Sequence, residues 1–189
     1  GTLRGYTYVV REPQGFRDHV MEATDVVLTT PESVATFLGL LTGQRPFFKS
    51  ARWPSPPGSA LLLAFTEPWQ YRLQMEEHWL LRIVHLEAAL SSRGYPPEVR
   101  EELTLEIVDP WLEANSGPWR LSLEQGQGYV SRASSAEVCL PIGTLAPLFS
   151  GFVGARELWL TGQLQASPEN LQKLERMFVA PAPELHDFF

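Results

Sequence analysis

A chain of 189 residues and 21.3 kDa has room for one large domain or two small ones, and its 44% hydrophobic and 20% charged content excludes a disordered polymer. A net charge of −7 supplies no basic stripe for phosphates, which argues against nucleic acid as a partner. The longest apolar run, Ala60 to Phe65, is too short to span a bilayer, so no membrane partner is expected. The single cysteine, Cys139, cannot form an internal disulfide and fits a reducing cytoplasm.

The chain starts at Gly1 without methionine and moves at once into strand-like sequence, the pattern expected of a piece of something longer. Gly5 to Arg11 is aromatic and β-branched and reads as a strand, followed by a turn at Glu12-Pro13-Gln14-Gly15. His19 to Thr30 is a second strand, whose Val26-Val27-Leu28 reads as buried on both faces. Thr30-Pro31-Glu32 opens a helix with Val34, Phe37, Leu38 and Leu41 as its inner stripe and Gly43 as its stop. Phe47 to Trp53 gives a third strand, then a loop at Pro54 to Gly58 and a short apolar helix at Ser59 to Phe65. Glu67-Pro68-Trp69 closes this part, whose strands need partners that a preceding segment would supply. The boundary is expected near Arg72 to Glu77.

Beyond it, Trp79 to Val84 reads as an apolar strand interrupted by Arg82, and Leu86 to Leu90 as a short helix. Leu103, Leu105 and Ile107 alternate with Thr104 and Glu106, as Trp119, Leu121 and Leu123 do with Arg120, Ser122 and Glu124: two half-buried strands. Gly126-Gln127-Gly128 turns into Tyr129 to Ala133, and Glu137 to Ile142 adds another strand. Leu145, Leu148, Phe149 and Phe152 form one short apolar face, and Leu158, Trp159 and Leu160 a second, closed by Gly162. Ser167 caps a helix with Pro168 at its first position and Leu171, Leu174 and Phe178 on its inner face. Strands followed by helices indicate an α+β fold with a mostly antiparallel sheet.

Few residues declare chemistry. Gln125-Gly126-Gln127-Gly128 lies between strands, so it is a hairpin turn and not a phosphate-cradling loop, which must lead into a helix. His19, His78, His85 and His186 share no metal-ligand spacing, and no metal is expected. Cys139, in the apolar context Val138-Cys139-Leu140, reads as core, as do Trp69, Trp79, Trp111 and Trp119. Adjacent Glu76 and Glu77 read as a solvated pair. Asp187-Phe188-Phe189 is an unusual end: it is either a plug for a gap in the core or a carboxylate held by two rings inside a pocket.

Several stretches together resemble the C-terminal half of the Eis-like (enhanced intracellular survival) acetyltransferases of the GNAT superfamily. They are Trp79 to Val84 with Leu86 to Leu90, Leu105 to Pro110, Asn115 with Gly117 to Leu121, Leu145 to Gly151 with Ala155 to Leu158, and Phe178 to Pro183 with Asp187-Phe188-Phe189. Gly5 to Val10 and Val26 to Phe37 resemble that family's central acetyltransferase-like domain. The resemblance implies residues 1–77 as the latter part of a central GNAT-like α/β domain and 78–189 as a domain like the type-two sterol carrier proteins. It implies a catalytic domain before Gly1, in the same gene product, that takes acetyl-CoA as cosubstrate, so this chain alone would bind none. It further implies a homo-oligomer, a hexamer in the family.

The end of the chain is what the resemblance makes functional. Phe189 matches the family's last position, whose carboxylate accepts a proton from the attacking amine as general base. Phe188, which would also shield it from water, and Glu76 and Glu77 would help bind a cationic substrate, an aminoglycoside-like molecule or a lysine side chain. Two other readings stand beside this one: a sterol-carrier-like lipid-binding module, and a purely structural assembly domain.

Overall fold

The computed structural model describes residues 1–14, 18–56, 58–75 and 79–183. These hold a mixed α+β fold with two sheets and five α-helices, divided into two compact units, residues 1–77 and 78–183.

The first unit is built on β1 (Gly5–Gln14) and β2 (Asp18–Leu28), antiparallel from Gly5 opposite Leu28 to Gln14 opposite Asp18, with one irregularity between Tyr8 and Val9. The strand thus continues through Glu12, Pro13 and Gln14, which were expected to turn, while Gly15 lies outside the described residues. Pro13 lies opposite His19 on an edge strand, the position in a sheet that tolerates a residue without an N–H. In β2 the buried residues are Met21 and Ala23, while Val27 is exposed, so Val26-Val27-Leu28 is not covered on both faces. Tyr6, Tyr8 and Val10 alternate along β1 and are exposed as well.

Helix α1 (Pro31–Gly43) starts where the sequence places it: the Thr30 hydroxyl accepts from the Ser33 amide at 3.2 Å, and Ser33 Oγ accepts from the Thr30 amide at 3.1 Å. Phe37 is its one fully buried residue, with Val34, Leu38 and Leu41 half-buried. The third strand, β3 (Ser50–Arg52), is parallel to β2 and shorter than expected. Trp53 leaves the ladder to meet Phe37 edge-on at 5.4 Å and to stack on Phe65 at 6.3 Å. Two 3₁₀ turns, Ala60–Ala64 capped by Ser59 and Pro68–Gln70, complete the unit.

The second unit carries the main core. Its sheet has the order β6-β5-β4-β7, formed by β4 (Glu102–Val108), β5 (Gly117–Glu124), β6 (Gln127–Arg132) and β7 (Val138–Pro141). Two pairings are antiparallel and β4 with β7 is parallel, so the sheet is mostly antiparallel. The alternation read from sequence holds: Leu103, Leu105, Ile107, Trp119, Leu121 and Leu123 all point inward and are buried. The sheet is covered by α2 (Leu86–Ser92), α3 (Ile142–Ser150), α4 (Ala155–Leu160) and α5 (Pro168–Met177), which add Leu86, Leu90, Leu145, Leu148, Leu158 and Leu174. Each such side chain contributes roughly 1.5–3 kcal/mol by leaving water. Ser167 caps α5 by accepting from the Asn170 amide.

Several apolar residues lie outside this core. Trp79 to Val84 forms no strand; only Ile83 of that run is buried, and Leu80 is 96% exposed. Among the four tryptophans read as core, Trp119 is buried, whereas Trp69, Trp79 and Trp111 are exposed. Phe152, Trp159 and Leu160 are exposed too. Cys139 faces outward because the strand alternation that buries Val138 and Leu140 turns the residue between them to the other side.

The β5–β6 hairpin explains the glycines. Glu124 pairs with Gln127, and the two residues between them, Gln125 and Gly126, have φ of 50° and 79°, the left-handed values a two-residue primed turn demands. Gly128 is fixed by contact rather than by conformation. A Cβ there would lie 2.6 Å from Tyr95 Cε2 and 2.7 Å from the Leu90 carbonyl oxygen, and the Tyr95 hydroxyl donates to that same oxygen at 2.8 Å. Gly128→Ala therefore has to displace a buried ring and a hydrogen-bonded carbonyl together. We expect a loss of about 1–3 kcal/mol in urea denaturation, the usual cost of overpacking; an unchanged midpoint contradicts this packing.

Candidate functional site

Two polar centres interrupt the apolar second unit. The first is built on Asp109, just past the end of β4, and Asn115, in a single 3₁₀ turn before β5 (Glu113–Asn115). Both are buried. Asp109 Oδ1 accepts from Arg82 Nη2 at 2.7 Å and from the amides of Trp111 and Leu112 at 3.0 and 3.1 Å; its Oδ2 accepts from Asn115 Nδ2 at 3.0 Å. Asn115 also donates to the Val84 carbonyl at 3.2 Å, and its Oδ1 accepts from the Leu86 amide at 3.0 Å. The Asn115 carbonyl takes the indole N–H of Trp119 at 2.8 Å.

Removal from water pushes the Asp109 carboxyl upward. The hydrogen bonds from Asn115, the Trp111 amide, Arg82 and the Leu112 amide outweigh that and hold it well below the usual carboxylate range. With both oxygens engaged, Asp109 is a fixed negative charge and has little capacity left to take a proton from a substrate. Its role is to hold the Arg82-to-Leu86 segment against the start of β5.

The second centre is Arg93, the residue that ends α2. Its guanidinium donates from Nε to the Phe149 carbonyl in the last turn of α3 at 2.8 Å. From Nη2 it donates to the carbonyls of Phe178 and Val179 at the end of α5, at 3.0 and 3.5 Å, and from Nη1 to Gly94 at 3.1 Å. It also lies over the rings of Tyr95, Phe178 and Phe149, 4.9, 5.2 and 5.9 Å from their centroids. The carbonyl ends of two helices, α3 and α5, thus converge on one cation. Burial pushes this guanidinium below its ordinary pKa, opposed by Tyr95. Burial likewise pushes the Tyr95 hydroxyl up to about 12, with Arg93 pulling the other way. Among the described residues no carboxylate pairs with Arg93; carbonyl oxygens and ring faces compensate its charge instead.

Beside this junction is a cleft of about 190 Å³ lined by Leu148, Gly151, Val153, Leu174, Glu175 and Phe178, among others. Pockets that enclose a drug-sized ligand hold roughly 300–1,000 Å³. Among the described residues no group of three or more His, Cys, Asp or Glu is gathered for a metal ion, and no helix is long and apolar enough to cross a membrane.

The residues singled out from sequence, Glu76, Glu77, Phe188 and Phe189, lie outside the described residues. What sequence reading missed is the pair of polar centres. Arg82, breaking an apolar run, was one visible signal; a lone Arg93 beside Gly94 and Tyr95 gave none.

Lowering the pH has a definite consequence for Asp109. Its folded pKa is below the unfolded one, so its stabilisation is fully present above the ordinary carboxylate value of about 3.9 and is lost as the pH falls from there towards the folded value. Asp109→Asn should lower the urea midpoint at neutral pH, with the deficit shrinking below that value. A deficit that stays constant through the acid limb contradicts an ionised Asp109.

Solved structures place the whole chain. A GCN5-related N-acetyltransferase from Anabaena variabilis ATCC 29413 matches with TM-score 0.93 and 32% identity, over 98% of this chain and 47% of its own. A probable N-acyltransferase from Enterococcus faecalis V583 matches with TM-score 0.83 and 23% identity, over 97% and 46%. Eis1 from Mycobacterium abscessus matches with TM-score 0.80 and 19% identity, over 98% and 48%. The fold is that of these N-acetyltransferase-like structures, and this chain spans just under half the length of each. No curated protein matches it. Residues 86–186, more than half of the 189, match the sterol carrier protein domain and take in α2, the whole β4–β7 sheet, Asp109, Asn115 and Arg93, so the chain belongs to the sterol carrier protein domain family.

Proposed function

We propose that this chain is the C-terminal portion of an Eis-like, acetyl-CoA-dependent N-acetyltransferase that modifies an amine of a cationic molecule, aminoglycoside-like or a lysine side chain. The observation that carries the reading is the pairing of extents: nearly all of this chain superposes on a GCN5-related N-acetyltransferase at 32% identity, yet it accounts for only 47% of that protein. The acetyl-CoA site belongs to a domain of the same gene product outside this chain, and the cytoplasmic enzyme assembles as a homo-oligomer, a hexamer by family resemblance. Residues 1–77 are the latter part of a GNAT-like domain and 78–189 the sterol-carrier-like domain.

In this reading the chain's contribution to chemistry is the carboxylate of Phe189. An ammonium cannot attack a thioester until it loses a proton. A carboxylate within hydrogen-bond reach takes that proton, the freed amine bonds to the acetyl carbonyl carbon, and the C–S bond breaks to release the thiolate of CoA. A terminal carboxyl has a reference pKa of roughly 3.5, so it is ionised at neutral pH and attracts the cation it deprotonates. Phe188 restricts water around it, and Glu76 and Glu77 add negative charge on the substrate's approach. The lipid-carrier alternative draws on the family match, but the cleft of about 190 Å³ is small for a lipid and the space between sheet and helices is filled by leucines.

Two measurements test the proposal. In the full-length polypeptide, removing Phe189 or appending residues after it should lower kcat about 10²–10⁴-fold, the usual worth of a general base, with the fold intact by circular dichroism; unchanged turnover disproves the role. Calorimetry of this chain alone should give no saturable acetyl-CoA binding, and micromolar binding would mean that the cofactor site is within it.

A further inference from the structure

We infer that Trp79 to Val84, with Trp111 beside it, is a docking strand: it pairs edge to edge with a strand from the part of the polypeptide outside this chain, and Leu80, Val84 and Trp111 are buried there. The inference rests on the reading of this chain as a portion of a longer acetyltransferase. It goes beyond that reading by naming the surface of the second unit on which the remainder seats.

The segment has the make-up of a strand and, among the described residues, no sheet to belong to. Exposure alternates along it as on an extended chain. Ile83 is buried, and Trp79 and Leu81 are far more covered than Leu80, which is 96% exposed; Val84 is 69% exposed. Its backbone is free as well. Among the described residues no amide from Trp79 to Val84 donates a hydrogen bond, and only the Ile83 and Val84 carbonyls accept one, both from Asn115. Loops that leave their backbone to water are rich in polar and turn residues, whereas five of these six side chains are apolar. Free backbone groups beside exposed apolar side chains are the features of an edge that another strand completes.

The surface is also fixed in advance. Asp109 Oδ1 accepts from Arg82 Nη2 at 2.7 Å and from the Trp111 amide at 3.0 Å, so one buried carboxylate ties the segment and Trp111 to the same corner. Trp111 is 81% exposed there, and Val108 in the last position of β4 is exposed too. Large apolar side chains gathered on a pre-ordered surface mark a contact site, because little ordering remains to be done when the partner arrives.

Two observations select the occupant. The GCN5-related N-acetyltransferase that matches 98% of this chain is itself matched over only 47% of its length. In the proposed full-length polypeptide the corresponding remainder is tethered to this unit and competes for the surface at high effective concentration. A second copy of the chain fits less well. Antiparallel self-pairing that sets Leu80 against the copy's Val84 also sets Arg82 against Arg82, and like charges directly opposite each other destabilise a ladder.

The test uses the full-length polypeptide. With p-benzoylphenylalanine in place of Leu80, irradiation should cross-link that position to residues of the same polypeptide outside 1–189, at monomer mass on a denaturing gel. Cross-links to a second copy, to residues 1–189 only, or to nothing overturn the inference. Hydrogen exchange reads the backbone: at least two alternate amides between Trp79 and Val84 should exchange about 10-fold or more slowly than in an unstructured chain, and less slowing at every one of them overturns the strand pairing. Leu80→Asp should remove this protection while the amides of β4 and β5 keep theirs; protection retained in that variant also overturns the inference. If Leu80→Asp does not fold, the cross-link and the wild-type exchange rates decide. Acetyl transfer by the same sample reports on the activity separately. Turnover without the expected cross-link sinks the docking surface alone, whereas cross-link and protection without turnover leave the surface in place and count against the enzyme reading.

Discussion

A carboxylate shut away from water has to be supplied with donors, and in this chain the supply organises the second unit. Asp109 takes its donors from Arg82, from the two amides that follow Pro110, and from Asn115. Asn115 passes the constraint on to the first amide of α2 and to the indole of Trp119 through its own carbonyl. Arg132 closes the same corner, its guanidinium 3.7 Å over the Trp119 ring and its Nη2 donating to the Ala114 carbonyl at 2.6 Å. The start of α2, the end of β4 and the start of β5 are thus set by one network. Removing one member strands the others in a dry site, where an unsatisfied group costs more than a satisfied one contributes.

From α2 onward the order passes to its other end. Leu90 and Tyr95 clasp the hairpin at Gly128, Tyr95 meets Phe178 at 6.3 Å, and Arg93 gathers the ends of α3 and α5. A helix of seven residues is too short to be stable by itself. Here it is capped at the start by Asn115 and His85 and at the end carries the cation that two other helices need. Its brevity is what allows both ends to do this work across one small sheet.

These relations explain what could be seen in the sequence. The inner faces of β4 and β5 follow from strict alternation, and the starts of α1 and α5 from Thr30-Pro31 and Ser167-Pro168, because each is decided within a few residues. Trp79 to Val84 misleads for the opposite reason. A continuous apolar run has no period, and the Val84 carbonyl is satisfied by the side chain of Asn115, 31 residues away, rather than by a neighbouring strand. Trp69 and Trp111 mislead because composition says that a large ring prefers burial without saying that this chain's own core has room for it. The polar centres were illegible as sites: Asp109 and Asn115 stood within stretches of family resemblance, but nothing local ties them to Arg82. For the carboxylate expected at Phe189, and for Glu76 and Glu77, the sequence argument stands by itself.

The second unit can also be weighed as a carrier against a scaffold, since the two place opposite demands on the same fold. A carrier needs a void between sheet and helices large enough for its cargo and helices free to part. A scaffold needs that space filled and its projecting segments held at their roots. Leu105, Leu121, Leu140, Leu145, Leu148 and Leu174 are each at most 1% exposed and occupy the space a cargo would take, and the cleft beside Arg93 is about 190 Å³. The helices are not free to part, because separating α3 from α5 strips a guanidinium of its carbonyls and leaves it facing aromatic rings alone. Membership of the sterol carrier family therefore describes the architecture, while the distribution of space and charge within it favours a unit that presents its segments rigidly over one that opens to load a lipid.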